Sequence, residues 1–585
     1  MLTIEFKHEE ISLKQVDEHT RRLDLPELTE EEKGILDPLV APTSGLRIEL
    51  CEAEEEGETL NLTLDERKVF LFLRFYKALS LKFKELHKEE NPNVLIVTDD
   101  RPTADMLLTY CTQIFAYEGY EVYHQEGEPG KSLVSSPYGA ASVALYDDID
   151  LVLVLTASHN ELSWNGIKFY IDYAMPMSGD MFKEISSIAL QLEEIHFKTN
   201  TSPKVRNVIQ KNNTYIIDLL SEVIEIKSLK EKDILIWPYL GKGRGLVELY
   251  ETLGANVHLI EEPMNPPNPI KTVPEKKLKR LMNETNSDIA LLLDADRDRI
   301  ALYVKQNGDF MYYIPNEIYS AMHNILAQEY NKPIINVRTI PSDLRGDHTS
   351  FMNILTGVGY KHLGIILYFL FDVEVEQSKI DSAILYLEDE EGKLVQINEP
   401  NRLKKAVKSK IKKEGLEDIT FIIVMWEESG GHTVNVLNLA GSEGQGNSTF
   451  ETDFTLIADK YPVPALVLIT ELLCRGHVIM ESIDWSIKGI NQTITATDKE
   501  KLRIMENFEA EDGKIITIGP KDYAITALYD NQGQIKIFRL KSSDSTLYFR
   551  PSGTSPSVRF YIFGDKSTYL EEIKRVKQYV KEHYK

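Results

Sequence analysis

The sequence predicts a multi-domain α/β protein, with three mixed α/β domains followed by a smaller C-terminal α+β domain. Three observations predict it. Short apolar runs that suit buried strands, at Val94 to Thr98, Leu151 to Leu155, Asp233 to Trp237, Asp288 to Leu293, Pro333 to Val337 and Phe421 to Met425, alternate with segments of helical apolar spacing. From about Asp484 the pattern changes to alternating strands, Gln492 to Ala496 and Ile535 to Leu540, and a last helix near Tyr569 to Tyr584. Such a run suits an antiparallel sheet. A length of 585 residues without a biased tract leaves room for about three to five domains, and the expected boundaries are 1–225, 226–328, 329–482 and 483–585.

Composition narrows the function classes. A net charge of -26 repels nucleic-acid phosphates and anionic lipid, so neither nucleic acid nor membrane is an expected partner. A small phosphorylated ligand is still allowed, because arginines and lysines gathered at one place reverse the field locally. Met1 to Glu10 has no apolar signal-peptide core, and no apolar run reaches the roughly 18 residues of a membrane span. The longest, Gly364 to Asp372 and Pro464 to Cys474, read as buried strand or helix. The odd set Cys51, Cys111 and Cys474 has no metal spacing and suits a reducing cytoplasm. The acidic run Glu52 to Glu58 reads as a solvated loop.

Taken in order, residues 1 to about 40 read as a polar amphipathic lead, and Ala41 to Arg47 as a Pro/Gly turn feeding a strand. Apolar spacing predicts a helix from about Leu64 to Leu86. After the strand at Val94, Asp100 with Pro102 suits a helix N-terminus, and Ser135-Ser136-Pro137-Tyr138 opens another helix. The five apolar residues Leu151 to Leu155 predict a strand buried on both faces of a parallel sheet. It delivers Thr156-Ala157-Ser158-His159-Asn160 to the carboxyl end of the sheet, where ligands bind in open α/β folds. That loop is either a polar turn capping the next helix or a presented hydroxyl, and Ser158 lacks the glycines of a hydrolase elbow. Gly241 to Gly245 has neither Walker nor dinucleotide spacing and reads as a β-to-α turn.

At the end of the next strand, Asp294, Asp296 and Asp298 alternate in Asp294-Ala295-Asp296-Arg297-Asp298-Arg299. Alternate carboxylates at a strand end can wrap one hard cation such as Mg²⁺. A calcium loop of the EF-hand kind is excluded, since Arg299 and Lys305 stand where it needs Gly and Glu. From Glu374 to about Lys413 charge density rises, as in an added surface hairpin or helix. In Trp426-Glu427-Glu428-Ser429-Gly430-Gly431-His432 a carboxylate and a hydroxyl on a glycine turn suit vicinal sugar hydroxyls. Arg550-Pro551-Ser552-Gly553-Thr554-Ser555-Pro556-Ser557-Val558-Arg559 offers two arginines, hydroxyls and backbone amides to a phosphate monoester.

These segments together resemble the α-D-phosphohexomutases, the family that includes phosphoglucomutase and phosphomannomutase, and the matches run from Thr43 to Arg559. The Ser158 loop with Asn165-Gly166 and Lys168 is similar to the family's catalytic serine loop, and Asp294 to Arg299 to its metal loop. The resemblance implies three similar α/β domains around a central cleft, a mobile fourth domain, and catalytic roles for Ser158, His159, Lys168 and Arg47. It implies Mg²⁺ on Ser158, Asp294, Asp296 and Asp298. Substrate contacts are implied for Arg299, for Gly357 and Lys361 of the Thr356 loop, for Glu427 and Ser429, and for Arg550, Ser552, Gly553, Thr554 and Arg559. Asp99 or Asp100 with Arg101 looks like the family's D-x-R segment. Ile48, Glu161, Trp426, the added Gly431 and Ser555 depart from the family pattern.

The implied activity moves phosphate between the 1 and 6 positions of a hexose, glucose first and mannose second, through a phosphoserine and a sugar bisphosphate that also serves as activator. Phosphopentomutase, glucose-1,6-bisphosphate synthase and an inactive phosphosugar-binding relative are the alternatives. A cytoplasmic monomer or dimer is expected.

Overall fold

The computed structural model describes residues 2–38, 45–87, 91–125, 135–174, 179–201, 203–389, 391–440, 449–551 and 557–585. It is a mixed α/β protein that divides into two compact units. One holds residues 1–315, 429–435 and 453–476, the other 316–428, 436–452 and 477–585.

In the first unit, a six-stranded sheet has the order Lys204–Arg206, Glu121–Gln125, Asn93–Thr98, Leu151–Leu155, Trp164–Tyr170, Leu46–Glu49. Five strands run in one direction and Trp164–Tyr170 alone runs against them, so the sheet expected to be parallel is mixed. Leu151 to Leu155 are all buried, as a strand covered on both faces requires. A five-stranded sheet follows, Asn256–Leu259, Asp233–Trp237, Ile289–Leu293, Ile300–Gln306 and Asp309–Tyr313, and again one strand, Ile300–Gln306, runs against the others. In both sheets the parallel core aims its carboxyl ends at a functional loop, after Leu155 in one and after Leu293 in the other.

The polar lead is structured. Thr3–Lys7 pairs with Thr59–Leu64, and Thr20–Asp24 pairs with Glu194–Lys198. Half-burial of alternate residues such as Ile4 and Phe6 identifies edge strands of period two, a signal too short to stand out among charged residues. The acidic run is the exposed strand Cys51–Glu56, where charge guards a sheet edge against further pairing.

In the second unit, a seven-stranded sheet has the order Leu394–Gln396, Leu385–Glu388, Met352–Thr356, Ile334–Thr339, Phe421–Trp426, His432–Ala440, Thr449–Glu451. The segment after Glu374 therefore supplies a hairpin that extends this sheet, as well as the helix Pro400–Glu414. The C-terminal sheet, Ile487–Thr495, Ser557–Asp565, Thr546–Pro551, Ile535–Lys541, Lys521–Tyr529 and Ile515–Ile518, is wholly antiparallel. Phe508 from the helix Asp498–Ala510 and Val576 from Tyr569–Tyr579 are buried with it in one core. Gly364 and Leu466 fall in buried helices, Tyr360–Phe371 and Val463–Cys474. Among the described residues no helix is long and apolar enough to cross a membrane, and all three cysteines are free.

Candidate active site

The serine loop is built from its surroundings inward. Leaving the buried strand, Thr156 donates its hydroxyl to Asp99 Oδ2 at 2.7 Å and accepts the Ser158 N–H at 2.8 Å. Ser158 sits at φ 54°, a left-handed conformation that costs a non-glycine residue of order 1 kcal/mol and persists only where neighbours fix it. Arg101 does the fixing. Its Nε donates to Asp99 Oδ2 at 3.0 Å, Nη1 to the carbonyls of Glu161 and Trp164 at 2.5 and 2.8 Å, and Nη2 to those of Ser158 and Asn160 at 2.7 and 2.8 Å. Four of the five donors of the guanidinium are thereby spent on one loop and the fifth on Asp99. Asp100 does not cap the following helix as expected. That helix, Ala104–Tyr117, starts after Thr103 with no side-chain cap, and the adjacent Asp99 serves Arg101.

The strand Trp164–Tyr170 returns beside Leu151–Leu155 and places Lys168 opposite Val154. The close approach depends on Gly166, where a Cβ would stand 2.3 Å from Leu46 O and 2.8 Å from Thr156 O. Lys168 is buried, its Nζ 2.6 Å from Asp296 Oδ2 and 2.9 Å from Asp298 Oδ2. Burial alone lowers a lysine, but the two carboxylates outweigh it and hold the ammonium well above its ordinary value.

Asp294, Asp296 and Asp298 emerge buried from the strand Ile289–Leu293, with one carboxylate oxygen of each inside a cluster no more than 4.8 Å across. Ser158 Oγ donates to Asp294 Oδ2 at 3.2 Å. Burial and the neighbouring Asp296 and Asp298 push the Asp294 carboxyl well up, whereas Lys168, Lys460 and Arg299 overcome burial and hold Asp298 well down. The Arg299 guanidinium lies 3.7 Å from Asp294 and 3.6 Å from Asp298. Asp296 Oδ1 and Asp298 Oδ1 are buried without a hydrogen bond. Two orphaned carboxylate oxygens beside a hydroxyl, all hard donors, match a divalent cation such as Mg²⁺.

His159 Nδ1 is 3.3 Å from Ser158 Oγ, and burial with the charges of Arg299 and Arg47 drives its pKa down to about 2, so the imidazole is neutral. Arg47, on the strand Leu46–Glu49, donates to Asn160 Oδ1 at 3.4 Å. Ser158, His159, Lys168, Arg47, the three aspartates and Arg299 thus gather within the first unit, which also holds Ser429.

Lys460 is a residue that sequence reasoning missed. Its Nζ lies 3.7 Å from Asp298 Oδ2, and its methylenes pass where a Cβ on Gly431 would stand, 2.8 Å from Lys460 Cγ. The added glycine therefore makes room for this lysine. The preceding Asp459 is buried and raised to about 6, less the opposing pull of Lys460. An Asp-Lys pair directly before an apolar helix was the available signal.

In the second unit, Trp426 turns into the core rather than toward ligand. Its Nε1 donates to Asn336 Oδ1 at 2.8 Å and its ring meets Tyr319 and His323 edge-on. Glu427 is buried, and Glu428 accepts from Thr339 Oγ1 at 3.4 Å. Gly357 follows the strand Met352–Thr356, its N–H donating to Ile384 O at 2.9 Å, and Lys361 lies half-buried in the first turn of Tyr360–Phe371. Arg550 and Arg559 are direct partners across two strands, so their side chains share one face, and Arg550 Nε donates to Tyr561 Oη at 3.1 Å. Ser552, Gly553 and Thr554 lie outside the described residues.

Residues 65–196 match the family described as phosphoglucomutase/phosphomannomutase, alpha/beta/alpha domain I. A phosphoglucosamine mutase of Thermoanaerobacter pseudethanolicus is 29% identical over 229 residues, 38% of this chain and 49% of that protein. The phosphoglucosamine mutase of Caldicellulosiruptor bescii is 27% identical over 234 residues, covering 39% and 49%. The chain thus spans about half the length of the curated relatives it matches. Among solved structures, parafusin (phosphoglucomutase) of Paramecium in its open form superposes with a TM-score of 0.58 at 15% identity over 97% of this chain and 98% of that one. A phosphoglucomutase/phosphomannomutase family protein of Burkholderia thailandensis gives 0.56 at 14%, over 94% and 97%. The fold is that of these multi-domain α/β proteins, and the serine loop stands in it beside an aspartate cluster. Within that fold, residues 65–196 are similar to domain I of the phosphoglucomutase/phosphomannomutase family.

Proposed function

We infer that the chain is an intramolecular phosphotransferase that moves phosphate between the 1 and 6 positions of an α-D-hexose. The observation that carries this reading is the Ser158 hydroxyl, held in a left-handed turn 3.2 Å from Asp294 in a buried carboxylate cluster with unspent oxygens. A structural turn has no use for that arrangement. Asp294, Asp296 and Asp298 with the Ser158 oxygen would hold Mg²⁺, which supplies charge neutralisation to a phosphoryl group.

The remaining roles belong to the chain's own groups. The sugar hydroxyl oxygen bonds to phosphorus of phosphoserine as the bond to Ser158 Oγ breaks. The proton lost by the hydroxyl is made good on Oγ, the oxygen that leaves phosphorus, while His159, held neutral, stays beside it with Nδ1 3.3 Å away. The Lys168 ammonium shares the pocket with the carboxylates and stays charged. Glu427 and Ser429 orient the ring, while Arg550 and Arg559 hold the phosphate that does not move. The sugar bisphosphate then turns and returns its other phosphate to Ser158.

The similarity to proteins named phosphoglucosamine mutase supports glucosamine phosphate beside glucose phosphate as a candidate substrate. The test is a coupled assay with Mg²⁺ and a trace of hexose 1,6-bisphosphate on glucose, glucosamine and mannose 1-phosphates, wild type against Ser158→Ala. Turnover of one of the three is expected, falling at least about 10⁴-fold in the variant, as when a covalent nucleophile is removed. No turnover of any sugar phosphate by wild type would overturn the reading.

A further inference from the structure

The charged segment after Glu374 has no part in the proposed chemistry, yet it meets the C-terminal sheet through a defined interface within the second unit. Ile384, Tyr386 and Leu355 are buried in one cluster with Leu528, Ile537 and Tyr561 of the C-terminal sheet. Polar contacts complete it. Tyr529 N–H donates to Tyr386 Oη at 2.6 Å, Asn531 N–H to Ala383 O at 3.1 Å, and Asn531 Nδ2 to Ile380 O at 2.9 Å. Gln396 Nε2 donates to Asp530 O and Asn531 Oδ1, each at 3.0 Å. The strand end at Tyr529 and the turn after it are thereby tied to the hairpin by backbone and side chain together. The same cluster reaches the proposed phosphate site, since Tyr561 is one of its members and accepts from Arg550 Nε at 3.1 Å.

We propose that residues 377–389 and 391–396 form a dock that fixes the C-terminal sheet to the sheet bearing Glu427, with Tyr386, Gln396 and Asn531 as positioning residues for Arg550. The mobile fourth domain implied by the family resemblance is then replaced in this chain by a lobe that travels with the seven-stranded sheet. The consequence rests on the mutase reading. A set spacing between Arg550 and Glu427 selects sugar phosphates by length, favouring hexose phosphates over pentose phosphates one carbon shorter. A dry cluster with a satisfied polar rim resists opening, because every separated amide loses its partner before water replaces it.

Two measurements on the full chain test this. In hydrogen exchange, the peptide spanning Tyr529 and Asn531 is expected to exchange as slowly as the core strand around Phe538, with and without glucose 1,6-bisphosphate. Loop-like exchange, or release on adding the bisphosphate, overturns the dock, and this arm holds whether or not the protein is a mutase. Gln396→Ala is expected to raise KM for the hexose phosphate with kcat retained, and to narrow the hexose-to-pentose ratio of kcat/KM by about tenfold. An unchanged ratio overturns the selection by length. Should that variant fail to fold, the disulfide of Ala383→Cys/Asn531→Cys decides instead. Oxidation is expected to leave turnover within about twofold, and a loss of about tenfold that reduction reverses overturns the proposal.

Discussion

The two ends of the proposed reaction are built by opposite means. Around Ser158 nearly every group is buried and spoken for: Arg101 spends all its donors on Asp99 and one loop, and Lys168 bridges two carboxylates. The cations Arg550 and Arg559 stand half-buried on two paired strands, where Arg550 donates to Tyr561. The difference teaches where stability and function are coupled. At the serine end, a change that harms chemistry should also harm folding, because the charges balance one another away from water. At the arginine end, binding should suffer while the fold stays intact.

Lys168→Met presses hardest on that contrast. Removing the cation takes the nearest partner from buried Asp296 and leaves Asp298 only the more distant Arg299 and Lys460, and about 3–5 kcal/mol of stability should be lost in chemical unfolding without divalent ions. Mg²⁺ should then raise the unfolding midpoint of the variant more than that of wild type, since the carboxylates no longer share their charge with an ammonium. Equal shifts in the two proteins would mean that the aspartates do not hold the ion.

Arg101→Lys is next. A lysine keeps the charge but has neither the fork nor the reach to hold the carbonyls of Ser158, Asn160, Glu161 and Trp164 at once. A loss of about 3 kcal/mol is expected, from several buried carbonyls left unsatisfied. kcat should fall with it, because the left-handed turn at Ser158 loses its support. Stability kept at the wild-type level would break the comparison at its firmest point.

At the other end, Arg559→Ala should raise KM for the sugar phosphate ten- to a hundredfold, about 1.4–2.8 kcal/mol of binding, with the melting temperature hardly moved. A large drop in melting temperature would show that this end is as tightly coupled as the first.

What was legible in the sequence follows from how far apart the cooperating residues lie. Ser158, Asp294 to Asp298, and the pair Arg550 and Arg559 each sit in one short run, and the strand that delivers each run is itself apolar. Arg101 was visible as a member of a motif, but its hold on four carbonyls about sixty residues away exists only after two parallel strands have paired. Lys460 reaches Asp298 by a path that Gly431 leaves open, and the Asp-Lys pair before the apolar helix, its one local signal, does not say which carboxylate it meets. Trp426 read as a departure from a glycine in the sugar loop. It proved to be a core residue, because the last position of a buried strand points to one side only, here toward Tyr319 and His323. The hairpin Leu385–Gln396 was expected on the surface, since alternation in so short a charged segment does not reveal that a sheet edge awaits it.

The smallest effect belongs to Glu428. Burial, and then the negative charge of Glu427, raise its carboxyl from 4.5 to about 7, against the pull of Arg550 and the Thr339 hydroxyl. The folded chain therefore binds this proton more tightly than the unfolded one. Its contribution to stability is complete below the unfolded value of 4.5 and is lost as pH rises through about 7. The full shift corresponds to about 3 kcal/mol, which solvent reaching a half-buried carboxyl reduces to about 1–2 kcal/mol. Glu428→Gln imitates the protonated form at every pH. Melting temperatures should coincide near about pH 5 and separate at about pH 8.5, with the glutamine variant the more stable. A gap of the same size at both would mean that Arg550 already pairs with Glu428 as a carboxylate, and that the arginine end is less open than its geometry indicates.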